Sequence, residues 1–95
     1  MKIVCIGGGS LYFKDLIPEL ALKKGIYGSE LWIYDINLTR AKLMAQYAEK
    51  ISGLAGAGFR VYATTNLPQA VDDARAAIFN IGDVGAGGGG FYASA

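Results

Sequence analysis

The chain has 95 residues, 53% of them apolar and 18% charged, with a formal net charge of +1; this describes one small domain that buries only about 60 to 65% of its unfolded surface. That balance excludes a polybasic surface for nucleic acid or lipid, and no apolar run approaches the roughly 18 residues of a membrane span. Lys2 is followed by only four apolar residues before a run of glycines, which is not the order of a signal peptide, so a cytoplasmic protein is expected.

The first predicted element is a strand, the short apolar run Lys2 to Ile6, closed by Gly7-Gly8-Gly9-Ser10. A helix follows, its apolar face marked by Phe13, Leu16, Ile17, Leu20 and Ala21. Pro18 removes a backbone donor inside it, so this helix either bends there or starts late. Leu31 to Asp35 mixes aromatic and branched residues as a second strand. From Leu38 to about Leu54, Ala41, Met44, Ala45, Ala48 and Ile51 recur on one helical face, with Asn37 placed to cap the start and Gly53 or Gly56 to end it. Phe59 to Thr64 alternates as a third strand, and Asn66-Leu-Pro-Gln69 opens a short helix to about Ala74 in which Gln69 reaches back to the cap. Ala76 to Ile81 is a fourth strand; like the first, it reads as buried on both faces.

Strand and helix in alternation predict an α/β fold: a Rossmann-like, doubly wound parallel sheet, partial, with about four strands in the order 3-2-1-4. In that order the fourth strand is an edge, although its sequence is apolar enough for a central one. Gly82 to Gly90 holds six glycines in nine residues and reads as a loop with no further element after it. Residues 1–95 are therefore expected to be the N-terminal part of a dinucleotide-binding domain, with the catalytic remainder outside them.

Where a parallel strand runs into its helix, the first N–H groups of the helix lack carbonyl partners and the helix dipole favours negative charge, so a diphosphate can lie there if no side chain blocks it. Gly7 suits the tight turn, Gly9 the close approach of backbone to pyrophosphate, and Ser10 a hydroxyl and an N-cap. The same glycines also suit a turn that merely needs positive backbone angles. A third glycine belongs at position 12, for close packing of helix on strand, and Tyr12 stands there.

Asp35 closes the second strand where such folds hydrogen-bond the adenosine ribose, roughly 25 residues past the glycines. A carboxylate there favours NAD and repels the extra phosphate of NADP; the other reading is an acid that faces water or caps the next helix. Arg40 is either a neighbour of the adenine or a solvated charge. Asn80, at the end of the fourth strand, and Gly82 after it sit at the lip where a nicotinamide ribose passes, or else Asn80 is satisfied locally. Asp72 and Asp73 read as surface, Asp83 has no visible partner, and Cys5 reads as core. With a single cysteine and no histidine, a metal site built wholly within these residues has only carboxylates to draw on. Trp32 and the six tyrosines are scattered rather than arrayed as a platform for bases.

MKIVCIGGGSLYF, ELWIYDINLTRAKLM and FRVYATTNLPQAVDDARAAIFNIG together resemble the N-terminal portion of the family 4 glycoside hydrolases, the NAD-dependent 6-phospho-glycosidases, alpha-galactosidases and alpha-glucosidases. In that family GGGS or GAGS is followed by a bulky residue where ordinary dehydrogenases have glycine, so Tyr12 fits. The resemblance implies NAD, a divalent metal, usually manganese, and a redox-elimination route in which a hydride leaves sugar carbon 3 and a base takes the proton at carbon 2. It implies that Gly7, Gly8, Gly9, Ser10 and Leu11 cradle the pyrophosphate, that Asp35 holds the adenosine ribose, and that Asn80 and Ile81 line the nicotinamide end. It also implies a glycoside or phospho-glycoside substrate, a homo-oligomer, and a catalytic base and metal ligands beyond residue 95. An arginine the family often carries two residues after the position of Asn80 is replaced here by Gly82 and Asp83, so a phosphate on the sugar is not implied. The alternatives are an oxidoreductase like lactate or malate dehydrogenase, and a stand-alone nucleotide-binding module.

Overall fold

The computed structural model describes the backbone of residues 1–80 and 89–93 and the side chains of residues 1–79. Four strands, β1 (Lys2–Ile6), β2 (Glu30–Tyr34), β3 (Arg60–Thr64) and β4 (Ala76–Asn80), alternate with three helices, α1 (Leu11–Leu20), α2 (Leu38–Ala55) and α3 (Leu67–Val71). These strands run parallel in the order β3-β2-β1-β4, the partial Rossmann-like sheet that the alternation predicts. A fifth strand, β5 (Gly89–Ala93), pairs antiparallel with β4. This corrects the expectation that nothing follows the glycine-rich stretch. It also gives β4 a neighbour on each side, which relieves the conflict between an apolar strand and an exposed edge.

The core forms where the strand period of two meets the helical period of 3.6. Ile3 and Cys5 of β1, Leu31 and Ile33 of β2 and Ile78 of β4 join Phe13, Ile17 and Leu20 of α1 and Ala41, Met44, Ala45 and Ala48 of α2 in one buried cluster. β1 is buried on both faces, since Val4 between Ile3 and Cys5 is also fully covered. β4 is less so: Ala76 and Ile78 are buried, while Ala77 and Phe79 between and after them are half-exposed. Burial of a side chain such as Phe13 contributes roughly 1.5 to 3 kcal/mol.

Pro18 lies inside α1, and the helix nevertheless begins at Leu11. A proline at that position removes the N–H that would bond to the carbonyl of Lys14. The Tyr47 hydroxyl of α2 donates to that carbonyl oxygen at 2.8 Å. A neighbouring helix thus supplies the missing donor, and α1 needs neither a late start nor an unpaired carbonyl.

The remaining ends follow local chemistry. Asn37 caps α2 by accepting from Arg40 N–H at 3.1 Å, and Gly56 closes it with φ 69°, a left-handed conformation that suits glycine. Phe59 N–H donates to the buried Ser52 hydroxyl at 2.9 Å, so the third strand starts at Arg60 rather than Phe59. Asn66 caps α3 through Gln69 N–H at 3.0 Å. Gln69 does not complete the reciprocal bond expected of it. Thr64 Oγ1 accepts the Asn66 N–H at 3.0 Å and donates to Gln69 Oε1 at 3.2 Å. α3 stops at Val71, short of Ala74, because Asp72 is extended at φ −60° and ψ 123° and Asp73 after it is left-handed at φ 56°.

The Tyr47 bond is testable on stability. Tyr47→Phe is expected to cost about 1 to 2 kcal/mol in urea unfolding, and that cost should largely disappear in a Pro18→Ala background, where the helix regains its own donor. Equal costs in both backgrounds would mean that the hydroxyl does not stand in for the proline's missing N–H.

Candidate functional site

The register brings the carboxyl ends of the strands to one edge: Ile6 lies beside Tyr34 and Phe79, and Tyr34 beside Thr64. Open α/β sheets bind ligands at that edge. There the chain leaves β1 through Gly7, at φ 75°. Gly8 N–H donates to the Tyr34 carbonyl at 2.8 Å, and Ser10 N–H closes the turn on the Gly7 carbonyl at 3.1 Å. Ser10 is extended, at φ −81° and ψ 157°, and α1 begins at the next residue, Leu11. Ser10 acts as N-cap through its backbone, with no cap bond from its hydroxyl to the helix.

Two glycines carry steric demands of different direction. A Cβ on Gly8 would lie 2.6 Å from Ile33 Cγ2 and 2.9 Å from the Cys5 carbonyl oxygen, so this residue is small because the turn presses onto the sheet. A Cβ on Gly9 would lie 2.7 Å from Asp35 Oδ2 and 2.7 Å from Arg40 Cβ. Composition and spacing had pointed to Gly7 and Gly9; the demand on Gly8 depends on Ile33, a residue of another strand.

Asp35 follows β2 and is only 8% exposed. Its Oδ2 accepts from Gly9 N–H at 2.9 Å and its Oδ1 from Asn37 N–H at 2.9 Å. A carboxylate buried to that degree is stabilised by such bonds and costly without them. The acid is therefore neither directed at bulk water nor a side-chain cap; it is fastened between the glycine turn and the residues that open α2. Each oxygen keeps a further lone-pair direction for a hydroxyl donor.

Tyr12, at the third glycine position, turns edge-on to Phe13, with ring centroids 5.1 Å apart and planes at 83°. Phe13 is fully buried while Tyr12 is partly exposed. The helix thus packs on the sheet through Phe13, and the tyrosine has room beside it.

Leu11 and Arg40 are exposed and line, with Gly9, Lys14, Leu43, Met44 and Tyr47, a groove of about 350 Å³ between α1 and α2. Asn80 ends β4 at the same edge of the sheet. Ile81, Gly82 and Asp83 lie outside the described residues. A larger cavity, about 450 Å³, flanks β3 and includes Trp32, Tyr62 and Gln69 but no residue of the turn. Trp32 and Tyr62, which are far apart in sequence, are register partners and stack at 4.8 Å. Glu30 accepts from the Trp32 indole at 2.8 Å, and Lys2 Nζ lies 4.3 Å from its ring centroid. These contacts hold the pair on one face of the sheet, so these two rings are not scattered as the sequence suggests. Among the described residues no three His, Cys, Asp or Glu side chains converge as a metal site, and no helix is long and apolar enough to cross a membrane.

The model of the family 4 glycosyl hydrolases matches residues 2–87. The chain belongs to that family. A solved structure of the 6-phospho-beta glucosidase from Thermotoga maritima, with NAD and glucose-6-phosphate, is similar to it with a TM-score of 0.65 and 29% sequence identity, over 79% of this chain and 18% of that one. This family 4 chain thus spans less than a fifth of that protein's length. No curated protein matches it. Membership favours the glycosidase reading over the dehydrogenase-like one.

In this family 4 chain Cys5 is wholly buried in β1, and burial pushes its thiol up from 9.0 to about 12. The folded state therefore holds the thiol proton more tightly than the unfolded chain, a contribution present below the ordinary value and lost as pH rises toward 12. At about pH 8 a thiol reagent should leave the folded protein unmodified and label it on unfolding; rapid labelling of the folded chain would contradict the burial. Gly8→Ala should cost about 1 to 3 kcal/mol in urea unfolding. Gly25→Ala, where an added Cβ meets nothing within 4 Å, should change stability by less than about 0.5 kcal/mol. Equal effects of the two would contradict the close approach at Gly8.

Proposed function

We propose that residues 1–95 form the N-terminal part of the dinucleotide-binding domain of a family 4 glycosidase and that the carboxyl edge of the sheet holds NAD. The observation that carries this reading is the placement of Asp35, buried beside the glycine turn and fastened to it through Gly9 N–H. The NAD named with the similar Thermotoga maritima glucosidase supports it.

The residues present suit the cofactor. Gly7, Gly8, Gly9, Ser10 and Leu11 would hold the pyrophosphate, because the turn is bare of large side chains before α1 and the positive end of a helix dipole favours an anion there. Asp35 would accept from the ribose hydroxyls, and its fixed negative charge would repel a 2′-phosphate. Arg40, in the first turn of α2, would flank the adenine end. Asn80 and Ile81 would line the nicotinamide end. When bound, NAD supplies the hydride acceptor that acidifies the neighbouring sugar proton in a redox-elimination route.

On this reading the described residues of this chain bind and orient the cofactor. The base, the ligands of a divalent metal such as manganese, and the pocket for a glycoside or phospho-glycoside are assigned to chain outside these residues. The working enzyme on this reading is a cytoplasmic homo-oligomer.

Calorimetric titration of the chain with NAD and NADP tests the proposal. NAD should bind in preference to NADP, and Asp35→Ala should weaken NAD about 10- to 100-fold. An Asp35→Ala chain that binds NAD as tightly as the parent would refute the assignment of the ribose site.

A further inference from the structure

The glycine pattern at such a turn is ordinarily understood from the ligand side, as room for a pyrophosphate. The geometry at Gly9 has a different direction. The space its missing Cβ would fill is bounded by Asp35 Oδ2 at 2.7 Å, Arg40 Cβ at 2.7 Å and the Arg40 carbonyl carbon at 3.2 Å. All three atoms belong to the segment that follows β2. Neither neighbour can withdraw easily: the carboxylate is held at both oxygens by backbone N–H groups, and the Arg40 backbone is anchored by the Asn37 cap.

We propose that Gly9 is a positioning residue for the ribose-binding acid, and that its lack of a side chain sets the preference for an unphosphorylated ribose by letting Asp35 and α2 close onto the turn. The inference rests on the NAD reading above and deepens it. A methyl group at Gly9 would force apart the same pair that now shares a hydrogen bond, Gly9 N–H and Asp35 Oδ2. The Oδ1 bond to Asn37 N–H would then act as a pivot. A carboxylate swung about that pivot meets the ribose hydroxyls poorly and no longer places its charge against a 2′-phosphate, while the exposed Arg40 beside it can attract one. The loss should fall more heavily on NAD than on NADP. A role confined to the pyrophosphate predicts something else, because both nucleotides carry that group and would suffer alike.

Dissociation constants for NAD and NADP, measured on the full-length enzyme as parent, Gly9→Ala, Asp35→Ala and the double variant, separate these cases. Gly9→Ala should lower the NAD-over-NADP preference about ten-fold, the worth of one hydrogen bond to a charged group. In the Asp35→Ala background the same substitution should no longer change the ratio of the two constants, since coupled residues fail to add, while its contact with Arg40 can still shift both together. Equal weakening of both nucleotides by Gly9→Ala in the parent background overturns the inference while leaving the NAD reading intact. A full-length enzyme that binds neither nucleotide overturns both. Should Gly9→Ala fail to fold, the amide resonance of Gly9 in nitrogen-15-labelled protein remains a direct test. Its proton should move upfield in Asp35→Ala, and an unmoved resonance overturns the inference.

Discussion

A buried carboxylate held by two backbone N–H groups is the constraint on which the rest of this site depends. Asp35 is covered except for 8% of its surface, and a charge taken that far out of water is tolerable only if its oxygens find donors. The donors come from two turns, at Gly9 and at Asn37, that belong to different crossovers of the sheet. One side chain therefore fixes where the first helix begins relative to the second, and both relative to the carboxyl edge of the strands. Loss of either donor would leave a buried oxygen underpaired, which costs more than a typical hydrogen bond contributes.

The same logic of supply and demand operates further along the two helices. Pro18 leaves the Lys14 carbonyl without its helical donor, and Tyr47 provides one from α2. Proline inside α1 thus becomes a reason for the helices to stay in register rather than a defect. Lys2 plays a comparable part below the sheet, donating from Nζ to the Gln69 and Asp72 carbonyls at 2.9 and 2.7 Å at the end of the short α3. In a domain of this size, with little apolar surface to bury, such polar ties are a substantial fraction of a stability of a few kcal/mol.

Function follows from what this frame leaves open. The turn before α1 is crowded on its inner side, by Ile33, Cys5, Asp35 and Arg40, and it lies at the sheet edge that open α/β folds use for ligands. Membership of the family 4 glycosyl hydrolases supplies the chemistry for which such an edge is suited, and the proposed division of labour is simple. On that proposal these residues hold and orient a dinucleotide, and the groups that act on a sugar are assigned outside them.

Much of this was legible in the chain itself. Alternating short apolar runs and amphipathic stretches determined a parallel α/β sheet in the order 3-2-1-4, because a strand period of two and a helical period of 3.6 are written directly in side-chain polarity. The Asn37 and Asn66 caps were equally plain, and the stop of the long helix was narrowed to Gly53 or Gly56, since each acts within a few residues of itself. The glycine turn and the acid after β2 could be paired by spacing. Three things were decided only by tertiary structure: the steric demand on Gly8, which arises from Ile33 of another strand; the rescue of Lys14 by Tyr47, which needs two helices side by side; and β5, whose pairing with β4 depends on long-range register. In each case the partner is distant along the chain, and local polarity carries no record of which distant group will arrive.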